Sequence, residues 1–302
     1  MNQTIPNPFE GVDFGELEKS VYRPRTLISM ILSGVVTCMT FLALIPLFAV
    51  LWMLIWRGGQ KLSLSLLTEL PPAPLEQGGG FGNAIVGTLV MVGLAGLISV
   101  PLGILSGVYL AQARDSKLAG AVRFAAKVLT GFPSILAGVF AYGAVVLAMG
   151  GFSAVAGAIA LSILMLPTII LTSESAIAMV PAKMKEASIG MGATGAQTVW
   201  MVLLPTAMPG ILTGIMLAVA RAAGETAPLL FTALFSNYWL AGSGRFDLMQ
   251  PTASLAVLIY NFSGMPFANQ VELAWAAALV LVLFVLIFNL IGQSFSRPQI
   301  TQ

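Results

Sequence analysis

Histidine is absent from this 302-residue chain, cysteine occurs once, and only 9% of the residues are charged. Each shortage excludes something. Without histidine there is no imidazole for acid–base catalysis or for the commonest metal ligation. One thiol, Cys38 inside the first apolar run, builds neither a disulfide within the chain nor a thiolate metal site. Metal and redox chemistry are therefore not expected. The Gly-rich turn ending in Lys-Ser or Lys-Thr that cradles nucleotide phosphates is missing too, since the only Lys-Ser pair, Lys19-Ser20, follows Leu17-Glu18. The chain is not expected to be an enzyme or to bind a cofactor, and any work that needs ATP and magnesium falls to a partner. A net charge of +2 is too small to argue for nucleic acid.

What is abundant is apolar surface: 58% of the residues, with a mean hydropathy of +0.93. Soluble domains carry about 25% charged residues, so this is an integral membrane protein. Crossing about 30 Å of hydrocarbon takes about 20 apolar residues. Six segments approach that length, at 27–56, 83–110, 128–149, 152–173, 207–236 and 273–293. The first is too long for a signal-peptide core and runs into Trp56-Arg57-Gly58-Gly59, so it is expected to be retained. The pattern predicts an all-α fold of six transmembrane helices over 27–296, between tails at 1–26 and 297–302. Its fifteen methionines and seventeen phenylalanines then fill the core or face lipid.

Lysine and arginine accumulate on the cytoplasmic side of membrane proteins. With the N-terminus inside, ten basic residues are cytoplasmic: Lys19, Arg23, Arg25, Arg114, Lys117, Arg123, Lys127, Lys183, Lys185 and Arg297. Arg57, Lys61 and Arg245 fall outside, and Arg221 falls within the membrane. Both tails and the 174–206 segment are therefore expected in the cytoplasm. Outside, residues 57–82 carry Pro71, Pro72, Pro74 and Gly78-Gly79-Gly80 and read as an extended loop. The apolar run Ala253–Phe262 is too short to span and is expected to re-enter or to lie against the outer face.

Within 174–206, Pro181 suits a helix start and Gly190 and Gly192 suit its end. Thr194 with Gln197 has the capping-box spacing of a second short helix, and Pro205 and Pro209 limit the bend before the next span. From composition alone this elbow reads equally as an interfacial loop or as a docking surface of small side chains. The spacing is more specific: Glu186-Ala187-Ser188, three residues, Gly192, nine residues, then Val202-Leu203-Leu204-Pro205. It closely resembles the Glu-Ala-Ala loop of binding-protein-dependent ABC importer permeases, with Ser188 and Val202 as conservative departures. That resemblance implies a MetI-like type I permease fold. It also implies a coupling helix seated on a separate ATPase subunit, with Glu186, Ala187, Ser188, Gly192, Ala193 and Thr194 at the contact.

The fifth span carries two charges, Arg221 and Glu225, with Arg221 eleven residues past Gly210. At about 1.5 Å per residue that is about 16 Å, near mid-membrane. There each charge costs about 2.5–3.5 kcal/mol, against about 0.3–0.6 gained per Leu or Ile. Spaced four apart, the two can pair. Either they form a packing ion pair, or they line a path in which Arg221 meets an anion through its planar fork and Glu225 accepts a proton-borne hydrogen bond. Thr226 and Ser134 are further path candidates, although hydroxyls in membrane helices usually bond their own backbone. Gly103, Gly107 and Gly131-Phe132-Pro133 read as helix packing and a kink.

The string Ala220-Arg-Ala-Ala-Gly-Glu-Thr-Ala-Pro-Leu-Leu-Phe-Thr-Ala233 is similar to the corresponding helix of phosphate-specific ABC permeases of the PstA type. The outer-loop string Leu62–Glu69 with its prolines and glycines, and Met249-Gln250-Pro251, resemble the same family. The resemblance implies a prokaryotic inner-membrane importer of inorganic phosphate. In it this chain pairs with a second permease subunit, stands on two copies of an ATPase and receives phosphate from an external binding protein. Relatives often carry Arg where this chain has Leu171, so a second anion contact is not expected there. A sulfate or molybdate permease is the alternative in the same class, and a proton-coupled secondary transporter is a more distant one.

Overall fold

The computed structural model describes residues 24–240 and 247–295, and among them every regular element is helical. Lys19, Arg23, Arg245 and Arg297 lie outside the described residues. The chain divides after Met53 into two compact units. The first holds helix α1, Pro24–Met53, whose Thr37 and Thr40 hydroxyls donate to carbonyls one turn back at 2.8 Å. These bonds satisfy the polar groups of an apolar helix from within.

The second unit opens with a π-helical turn, Leu54–Gly58, and a short α2, Leu64–Thr68. The rest of the 57–82 loop lacks regular structure but is less extended than its prolines and glycines predict, since Glu76 N–H donates to Ala73 O at 3.1 Å in a turn and Leu75, Gly78 and Gly79 have positive φ. It is pinned to the start of the last helix, α13 (Ala268–Phe295), by Asn269 Nδ2 donating to Glu76 O at 2.9 Å and Gln270 Nε2 donating to Pro72 O at 3.3 Å.

Helix α7, Ala154–Ala178, is central: two-thirds (67%) of its most apolar stretch is buried. A helix that is apolar all round must be covered all round. Helix α3, Gly82–Gln112, lies against it, and a Cβ added to Gly103 would stand 2.6 Å from Ile169 Cγ2, which supports the packing role expected of that glycine. Helix α10, Leu204–Ala223, packs on another side, with Gly210 against Ala176 and Gly214 against Thr172. Helix α12, Leu255–Ser263, occupies the short apolar run and buries Leu255, Val257, Leu258 and Phe262. Its Leu255 N–H donates to Thr88 Oγ1 of α3 at 2.9 Å.

Three boundaries differ from expectation. The span predicted over 128–149 is two helices, α4 (Lys117–Thr130) and α5 (Ser134–Ala141), the latter extended through a π turn into α6 (Leu147–Met149). The two parts meet at 108°. Pro133 has no N–H to continue the ladder and keeps Phe132 out of helical conformation, so the chain turns there. The span predicted over 207–236 stops at Ala223. Finally, the second elbow helix, α9 (Gly195–Thr198), does not end before α10 but runs into it through a π turn at Val199–Leu203. Pro205 sits in the first turn of α10, where its missing N–H matters little. Among the described residues, five stretches are long and apolar enough to cross a membrane, or six when the bent α4–α6 pair counts as one.

Candidate functional site

Pro228 cannot donate to the carbonyl of Gly224 and its ring would collide with it, so α10 cannot continue past that point. Gly224 caps α10, and Glu225 and Thr226 lead into a four-residue helix α11, Ala227–Leu230. Arg221 therefore lies in the last turn of α10, not mid-helix as expected. Its depth is nevertheless central. Gly210 faces Ala176 and Gly214 faces Thr172, so the antiparallel register puts Arg221 about level with Met165, near the middle of α7. Irregular backbone at such depth is tolerated only inside protein or along a watery cavity.

Arg221 Nε and Glu225 Oε1 are 3.3 Å apart, so the pair expected from the spacing forms. Its two members differ in access: the Arg221 side chain is 40% exposed and that of Glu225 14%. The bond engages Nε of the guanidinium. Thr206, Thr213 and Leu217 are exposed on the same face of α10. Thr226 is half-buried at the start of α11 and makes no capping bond with its side chain.

The elbow matches its local prediction closely. Helix α8 spans Ala182–Gly190 with Pro181 just before it, and Gly192 has φ +89°, the left-handed conformation that glycine adopts without penalty. The capping box is complete: Gln197 N–H donates to Thr194 Oγ1 at 3.3 Å and Thr194 N–H donates to Gln197 Oε1 at 2.8 Å. Glu186, Ala187, Gly192 and Thr194 are exposed and Ala193 is half-buried. Ser188 departs from expectation. It is only 3% exposed, and its hydroxyl lies 3.0 Å from that of Thr198, so it ties α8 to α9 and offers nothing to a partner. In its place the surface presents Met184, Ile189 and Met191, the last 83% exposed. Lys185 Nζ donates to Gln112 Oε1 at 2.9 Å, which fastens the elbow to the end of α3.

One interaction escaped the sequence reading. Arg123 of α4 serves there only as an orientation marker, yet its Nη2 and Nε reach Glu174 Oε1 of α7 at 2.7 and 2.8 Å. Its Nη2 also donates to Leu110 O of α3 at 3.4 Å. The signal was Glu174 itself, an acid at the end of an apolar helix that needs a counter-charge.

Residues 99–298 match the family of binding-protein-dependent transport system inner membrane components. The phosphate transport system permease protein PstA of Yersinia pestis is 42% identical over 254 residues, which cover 83% of this chain and 84% of the relative. The chain belongs to the PstA permease family. The PstA permease of Haemophilus influenzae is 41% identical over 256 residues, covering 83% and 89% of the two chains. The probable PstA permease of Methanocaldococcus jannaschii is 38% identical over 257 residues, covering 84% and 89%.

Solved structures agree on the fold. A bacterial alginate ABC transporter in complex with its pentasaccharide-bound periplasmic protein matches with a TM-score of 0.62 at 16% identity, over 92% of this chain and 98% of that one. An inward-facing MetNI methionine ABC transporter matches with a TM-score of 0.54 at 19% identity, over 84% and 97%. The fold is thus the MetI-like importer permease expected from the elbow, and the chain is an inner membrane component. In this PstA-family chain both the ion-paired break and the elbow fall within the matched residues 99–298.

Proposed function

We propose that this chain is the permease subunit of an ATP-driven importer of inorganic phosphate. It pairs with a second permease to enclose the path, docks two ATPase subunits that hydrolyse ATP with magnesium, and takes phosphate from an external binding protein. The chain itself performs no catalysis. The observation that carries the reading is Arg221 at the α10 break: a side chain 40% exposed, level with the middle of α7 and paired through Nε with Glu225. The PstA names of relatives 38–42% identical to it supply the substrate.

A planar fork of donors suits a tetrahedral oxyanion, and the adjacent carboxylate suits one that still carries a proton. Thr226 lies beside that carboxylate and completes the candidate path. At the elbow, Glu186, Ala187, Gly192, Ala193 and Thr194 surround the exposed Met184, Ile189 and Met191, a small apolar surface with a charged rim fit for an ATPase groove.

The test is reconstitution of the permease pair, ATPase and binding protein in liposomes, following labelled phosphate and labelled sulfate. Phosphate uptake that needs ATP and exceeds sulfate uptake is expected. Equal uptake of both anions would make it a general oxyanion permease, and uptake without ATP would make it a secondary transporter.

A further inference from the structure

Gly138 of α5 lies against the first turn of α11 more closely than any side chain allows. A Cβ built on it would stand 2.6 Å from Pro228 Cα and 3.1 Å from Pro228 O. Both atoms are backbone, so no rotamer change relieves the clash. Gly138 is buried, as is Pro228, and the Pro228 carbonyl is held by Thr232 Oγ1 at 2.8 Å. The α11 turn is therefore gripped on both sides, by α5 and by its own following residues. Only Thr226 and Ala227 separate Pro228 from Glu225. Where α11 sits decides where the Glu225 carboxylate sits, and so how Arg221 is oriented.

We propose that Gly138 is a positioning residue for the anion path, acting through Pro228 on the Arg221–Glu225 pair. The inference rests on the reading of that pair as the phosphate contact. It adds a mechanical link: α5 follows the 108° bend from α4, and α4 is tied to α7 by Arg123–Glu174, so a tilt of this bent pair moves the α10 break directly. Gly143, a few residues along the same segment, has open space where its Cβ would be and supplies the control.

The test uses the reconstituted importer with Gly138→Ala, Gly143→Ala, Glu225→Gln and the double variant Gly138→Ala/Glu225→Gln. Gly138→Ala is expected to raise the half-saturating concentration for phosphate uptake about tenfold with the maximal rate within about twofold, and Gly143→Ala to change neither. In the Glu225→Gln background Gly138→Ala should add little, because the position it sets no longer serves a carboxylate. If Gly138→Ala prevents assembly, Pro228→Ala, which frees the φ of the same turn, replaces it in the same cycle. Full additivity, or equal effects at positions 138 and 143, would overturn the proposal. If Glu225→Gln and Arg221→Lys leave uptake unchanged, it is the underlying phosphate reading that fails instead.

Discussion

At the scale of single residues, the Arg221–Glu225 pair holds most of the chemical information. Neither charge is worth its insertion cost to packing alone, since a well-packed apolar pair would fill the same space more cheaply. Arg221→Lys keeps the positive charge and removes the fork. Phosphate uptake should fall by about tenfold or more, the loss expected when a bidentate charge-assisted contact becomes a point charge. Transport kinetics at several phosphate concentrations measure this, and an unchanged half-saturating concentration would count against direct contact. Glu225→Gln removes a carboxylate that repels a fully deprotonated oxyanion and accepts a hydrogen bond from a protonated one. Selectivity should therefore move more than rate: sulfate should become a better competitor of phosphate uptake, and no gain in sulfate inhibition would refute this role.

At the scale of elements, the elbow folds by local rules and the α10 break by tertiary ones. Losing the Thr194 cap in Thr194→Ala should cost about 1 kcal/mol of local helix stability. Faster amide exchange over α9 in the purified permease would register it. Glu186→Lys combined with Gly192→Asp should leave the chain inserted but sharply reduce co-purification of the ATPase, and normal recovery would place docking elsewhere.

Because capping, glycine conformation and proline position act within a few residues, the elbow was legible in the sequence down to its capping box. The inward direction of Ser188 was not, since only the packing of α8 on α9 decides which way one small side chain points. The end of α10 was legible in principle from Pro228, but apolar composition through Phe231 and Ala233 extends a hydropathy reading past the break. Leu229 and Ala233 are buried against Gly157 of α7 and do not continue a span, and Ser153 N–H donates to Thr232 O at 3.0 Å beside that contact. The 108° bend was visible as Phe132-Pro133, although its angle was not.

At the scale of the whole molecule, charge separates along the helices of the second unit. Arg114, Lys117, Arg123, Lys127, Lys183 and Lys185 gather where α3 and α7 end and the elbow begins. At the opposite end, Lys61 pairs with Glu272 at 2.8 Å and the Arg57 guanidinium lies 5.5 Å from the centre of the Trp275 ring, both at the start of α13. Among the described residues of this unit, six basic residues against two is the asymmetry that membrane insertion reads, and it argues for a cytoplasmic elbow end. An ATPase fed by cytoplasmic ATP requires the same placement, so topology and coupling stand or fall together. With Cys38 replaced by Ser, a cysteine at exposed Gln77 or exposed Met191 becomes the sole thiol. In cells lacking the ATPase subunit, a membrane-impermeant maleimide should label Gln77→Cys from outside and Met191→Cys only after the inner membrane is opened. The reverse pattern would place the elbow outside and remove the physical basis for coupling through it.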